Sequence, residues 1–132
     1  PVVAFTIPKT MFDKTNLAEA GIYIGATTSP IIASLCDVPS KEQGEVASTT
    51  RTIKGVVYYV FTSNDAGAGN YYDRTTLRTE QNNTCYEIVE LIHSLQIGNF
   101  PEGTVTPFDR NQYLGYLDGM VETFEFANPK IN

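Results

Sequence analysis

The sequence predicts an α+β domain: an antiparallel β-sheet of about five to six strands, with a C-terminal amphipathic helix and short N-terminal helices packed on it. Three observations carry this. Runs rich in β-branched and aromatic residues recur between turn residues from Val2 to Gln96. After Pro107 the apolar residues change to helical spacing. The 132 residues are 42% apolar, 11% aromatic and 18% charged, which suits one core and not a disordered chain.

In order, "VVAFTIP" (2–8) alternates and reads as a strand stopped by Pro8. Met11, Phe12 and Leu17 lie at roughly helical spacing, which predicts a short helix or two turns over 9–20. "GIYIGATT" (21–28) alternates again and reads as a strand. "SPIIASLC" (29–36) offers a Ser N-cap and Pro at the first helical position, so a helix is expected. The stretch 37–48 is the most polar and reads as an exposed loop. "STTRTIKG" and "VVYYVFTS" predict a hairpin turning near Lys54-Gly55.

"YYDRTTLRT" is the next strand, and "EQNN" a polar turn. The segment 84–96 has Cys85, Ile88, Val89, Ile92 and Leu95 at helical spacing, yet a short turn joins it to a clear strand. The strand reading is adopted. Turn residues Asn99, Pro101 and Gly103 mark 97–107 as a loop. Thr106 then supplies an N-cap, Pro107 the N1 position and Asp109 an acid at N3. The helix that follows carries Phe108, Tyr113, Leu114, Leu117, Met120, Val121 and Phe124 as its apolar stripe.

The net charge of −6, from 15 acidic and 9 scattered basic residues, argues against nucleic acid and against an anionic membrane surface as partners. No apolar run approaches 20 residues, so no membrane span is expected. The chain starts at Pro1 and not Met, which fits removal of a leader or trimming, and leaves room for a lipid anchor upstream. Cys36 and Cys85 are the only cysteines. With no CxxC and no His pair they fit one disulfide better than zinc, with two separate buried thiols as the alternative. A bridge would close a loop of roughly 50 residues, worth about 4 kcal/mol in the chain-entropy model, and would imply an oxidising compartment.

The stretch "NDAGAGNYYDRTT" (64–76) raises the question of chemistry. A phosphate cradle needs glycines leading into a helix, and these lead into a strand. The Asp65…Asp73 spacing is not that of a calcium loop. Gly67 and Gly69 are therefore expected to serve positive-φ backbone or a close approach, with Asp65 and Asn70 bonding neighbouring amides. Consecutive tyrosines on a strand face opposite sides, so one of Tyr71 and Tyr72, and one of Tyr58 and Tyr59, should be exposed. Arg74 and Arg78 share a face and can grip a carboxylate or pair with Glu80, Glu87 or Glu90.

No catalytic residues are assigned. His93, the one histidine, shares a strand face with Leu91, Val89, Glu87 and Cys85 and lacks a nucleophile elbow. A structural role, bonded to backbone near Ser94 or 97–99, is expected for it. Glu87 and Glu90 point to opposite faces of a strand, which defeats paired-carboxylate chemistry. No cofactor and no metal are expected.

"SNDAGAGNYYDRTTLRTEQNNTCYEIVELIHSLQIGNFPEGTVTPFD", with the opening "IPKTMFDKTNLAEAGIYIG", resembles a pattern in small exported bacterial proteins and lipoprotein-like domains. Its marks are D-A-(G/A)-A-G-N-x-Y, then "RT", "CYE", "IHS" and "IGN(Y/F)". The element order is similar, more loosely, to the PsbP-like α+β sandwich. The resemblance implies export, a Cys36–Cys85 bridge and a strand over 84–94, but no activity.

The resulting expectation is a single exported domain over 1–132, a non-catalytic binding or accessory module of the cell envelope with an envelope or secreted protein as partner. Its surface would be Asp65, Asn70, Tyr71, Tyr72 and Arg74 with Asn99 and Phe100. An inhibitor of a secreted hydrolase is the first alternative, because stiff loops on an acidic disulfide-tied domain suit that task. An enzyme with an unrecognised site is the second.

Overall fold

The computed structural model describes residues 2–127. Six strands form one sheet: β1 (Val2–Thr6), β2 (Leu17–Thr27), β3 (Val46–Ile53), β4 (Val56–Gly67), β5 (Asn70–Gln81) and β6 (Thr84–Leu95). Two helices accompany them, α1 (Pro30–Ala33) and α2 (Arg110–Glu122). The spatial order is β1-β2-β6-β5-β4-β3, antiparallel at every pairing. The sheet dominates. The expected N-terminal helices shrink to a 3₁₀ turn at Lys9–Met11 and to the single turn α1. Ser29 and Pro30 do open α1, but the Ser29 side chain makes no capping bond and four residues end it.

Strands β3 to β6 run as a meander through three two-residue turns. Lys54-Gly55, Ala68-Gly69 and Asn82-Asn83 all have positive φ at both positions, the geometry of type I′ turns whose twist matches the strands. Each turn fixes the register beside it, and 84–95 is therefore the hairpin partner of β5 and not a helix. Strand β1 lies close against β2 because residue 21 is glycine: a Cβ there would stand 2.8 Å from the Phe5 carbonyl oxygen.

Register sorts the residues onto two faces. One face carries Ile22, Tyr58, Leu77, Ile88 and Ile92, all buried, and α2 lies across it with Tyr113, Leu117 and Val121 inward at i, i+4, i+8. Phe108, Leu114, Met120 and Phe124 pack at the margin. Fully burying an aliphatic side chain contributes about 1.5–3 kcal/mol, so this stripe holds the helix. The helix start differs from expectation: Asp109 is the N-cap and accepts from Gln112 N at 3.2 Å. Thr106 is engaged elsewhere, bridged to Thr15 with its N–H donating to the Lys14 carbonyl, which keeps Pro107-Phe108 outside the helix.

The opposite face is covered at one end by the excursion between β2 and β3. The Cys36–Cys85 disulfide ties that excursion to β6. A second tie is polar. Glu45, expected in an exposed loop, is buried, and both its oxygens accept from Arg78, Oε1 from Nη1 at 2.8 Å and Oε2 from Nη2 at 2.5 Å. Arg78 also donates Nε to Glu87 at 2.8 Å and lies 4.8 Å over the Phe61 ring. Glu45 Oε1 takes the Ser40 N–H as well. Such a bidentate, multiply bonded pair satisfies charges that burial would otherwise penalise.

Candidate functional site

Beyond the reach of the excursion, the second face stays half open around Tyr72, Arg74, Leu91 and His93. The β4–β5 turn ends it. Gln96 N donates to the Gly69 carbonyl at 2.8 Å, and Asn99 Nδ2 approaches the same oxygen at 3.4 Å. The φ of 79° at Gly69 favours glycine, and a Cβ there would also displace the Asn99 side-chain amide that lies against it. Gly67, by contrast, is ordinary strand, and Ala68 takes the other left-handed position. Most of 64–74 is thus strand, the ends of β4 and β5 joined by a two-residue turn, and the 97–99 turn meets it at Gly69.

Asn70 orients the histidine beside this turn. Its Nδ2 group reaches the carbonyls of Gly67 and Ala68 at 3.3 Å each, which turns Oδ1 toward His93 Nε2 at 2.8 Å. With the amide donors used on the turn, the imidazole Nε2 must carry the proton in this contact. The partner of His93 is therefore a side chain, not the backbone expected for it. Tyr72 stacks on His93 with centroids 4.2 Å apart and planes 15° apart. The Arg74 guanidinium lies 5.4 Å from the Tyr72 ring centroid. His93, Tyr72 and Arg74 form one row across β6 and β5, with each group limiting the rotamers of the next.

Arg74 also lines a cleft of about 670 Å³ between the sheet and the 41–44 turn, with Ser63, Asp65, Thr76 and Glu87 on the sheet wall and Lys41 and Glu42 on the other. Among the described residues Arg74 has no ion-pair partner, whereas Arg78 holds two and Arg110 holds Asp73. Of the expected surface, Asp65, Asn70, Tyr72 and Arg74 share this face, and Asn99 touches it through Gly69. Tyr71 points to the other side, 43% exposed, and Phe100 stacks on none of these rings. Tyr58 is buried and Tyr59 exposed, as alternation requires.

The α2 side holds one acid of unusual character. Glu90 is 3% exposed and, among the described residues, its Oε2 has no hydrogen-bond partner. Burial first, then the hydrogen bond and charge of Asp118, push its carboxyl up to about 8, against a smaller opposing pull from Arg51. Arg51 itself bridges Asp118 at 3.3 Å and Glu122 at 2.6 Å. The Tyr58 hydroxyl, also buried without a partner, is pushed up to about 12 by burial. Glu87 is on the opposite face with Arg78, so the two glutamates do not form a pair. Among the described residues no three His, Cys, Asp or Glu side chains gather as metal ligands, and no helix is long and apolar enough to cross a membrane.

Neither a family model, nor a curated protein, nor a solved structure matches this chain.

Proposed function

We propose that the protein is an exported, non-catalytic binding module whose ligand places an anionic group against Arg74 in the cleft beside Tyr72. One observation carries the reading: a guanidinium with no acid partner among the described residues, laid on a stacked aromatic and lining a cleft. Arginine held this way is pre-oriented for a carboxylate or phosphate, and little side-chain entropy is lost on binding. The two groups that could suggest catalysis are engaged, His93 with Asn70 and Glu87 with Arg78. Export is supported by the disulfide, which persists in oxidising compartments.

The test is an NMR titration with a short extended peptide ending in a free carboxylate, against its amide. Shifts at β5 and β6 amides are expected for the acid alone, with at least about tenfold weaker binding after Arg74→Ala, a difference of about 1.4 kcal/mol. Equal binding by the amide, or by the variant, sinks the proposal.

A second reading, inhibition of a secreted hydrolase, is favoured by the way Gln96 and Asn99 brace the exposed β4–β5 turn. Inhibition of a lysozyme or protease panel that disappears in Tyr72→Ala, with melting unchanged, would select it over the first; a panel without inhibition removes it.

A further inference from the structure

We infer that the turn spanning residues 30–38 is a separate docking knob, for a partner protein offering an apolar recess ringed by Lys and Arg. The proposal does not depend on the Arg74 cleft.

The turn has an anchored side and an outward side. Inward, Ala33 and Cys36 are buried against Cys85, and the disulfide fixes them to β6. Outward, Ile31, Ile32, Leu35 and Val38 are 76%, 56%, 53% and 45% exposed. Isolated exposed aliphatics are ordinary; four within eight residues on a covalently pinned turn make a patch of the kind that marks an interface. Pinning lowers the ordering cost on association. Ile32, Leu35 and Val38 also line, together with Gly25–Thr27, a groove of about 650 Å³ beside the knob, room for a partner side chain.

Charge selects the occupant. No charged residue occurs from Ala20 through Cys36, so the knob itself is neutral. Its rim is acidic. Asp37 is next in the chain, Glu80 is the cross-strand neighbour of Cys85, and Glu42 is exposed on the following turn, against Lys41; Arg78, which also lines the groove, is neutralised by Glu45 and Glu87. Among the described residues neither Asp37 nor Glu80 is in an ion pair. Self-association through this patch would set acid against acid, and an anionic bilayer would be repelled for the same reason. A basic ring around an apolar recess answers both features.

The experiment titrates isotope-labelled protein with a synthetic amphipathic helix of leucine and lysine, and with the same helix carrying glutamate for lysine. The lysine helix is expected to shift the amides of 31–38 and to bind at least about tenfold more weakly to Ile31→Ser/Leu35→Ser. Asp37→Lys/Glu80→Lys should weaken it several-fold. All four positions are exposed, and unchanged melting verifies the fold of each variant. The carboxylate peptide should bind Ile31→Ser/Leu35→Ser as before, which separates this result from the fate of the cleft. Equal binding of the glutamate helix, or undiminished binding to the double serine variant, overturns the inference. So does self-association in sedimentation, or flotation with phosphatidylcholine or phosphatidylglycerol vesicles, that the double variant abolishes.

Discussion

The two faces of this sheet use the same strands and are held by different forces. Toward α2, Leu77, Ile88 and Ile92 meet Leu117 and Val121 in continuous apolar contact. Toward the excursion, Phe61, Arg78, Glu87 and Cys85 are covered by one disulfide and one buried carboxylate, Glu45. Apolar burial is non-directional and spreads along the whole helix. Point ties cover only the end where they attach, and this is why the Tyr72–His93 end of the second face stays open. A binding surface survives where closure depends on a few specific bonds.

The largest way to break the contrast is with pH, acting under α2. Glu90 is raised from the ordinary carboxyl value to about 8 in the folded chain. Between about pH 4.5 and 8 the native state therefore keeps a proton that the unfolded chain has released, and stability falls as pH rises through that window. Each pH unit inside it is worth up to about 1.4 kcal/mol. Urea unfolding at pH 5 and 8 should show a loss that largely disappears in Glu90→Gln; a wild-type profile as flat as the variant's would contradict a Glu90 held neutral by burial.

Next, Leu117→Ala removes a fully buried side chain from the centre of the helix contact and should cost about 3–5 kcal/mol. A midpoint unchanged in denaturant would mean that α2 contributes little to the cooperative unit.

On the second face, Cys36→Ser/Cys85→Ser should cost about 4 kcal/mol, the loop-closure term for a sequence separation of 49. Its effect on hydrogen exchange should concentrate in 28–45 and spare α2. Uniform loss of protection would show that the two faces are not independent.

Smaller still, Glu45→Gln leaves Glu87 as the one charged partner of Arg78 and should cost about 2–3 kcal/mol, because an amide NH2 replaces one of the two carboxylate oxygens that accept from the buried guanidinium. Restoration of stability by Arg78→Met in the same chain would sharpen the point, and a Glu45→Gln variant as stable as wild type would refute it.

Much of the sheet is legible in the sequence. Alternation and β-branched runs place β3 to β6, though "EQNN" as a four-residue turn misses that Glu80 and Gln81 belong to β5; once Asn82-Asn83 is the two-residue turn, Tyr72 falls opposite His93 by counting. That count alone locates the stacked row. Glu45 cannot be found this way, because its partner is 33 residues distant and the polar stretch around it gives no sign of burial. Nor does "PIIASL" reveal which side of a single turn looks outward. The disulfide decides that, and the excursion's path over the sheet is a tertiary fact without local signature.

All three meander turns lie between Cys36 and Cys85, inside the ring that the sulfur bridge closes. A protease cutting after Lys54 or at Asn82-Asn83 would leave a single covalent molecule, and the pieces would part only in the presence of reductant. An outer surface nicked at those hairpins would keep its mass, and β6 would hold both halves in place.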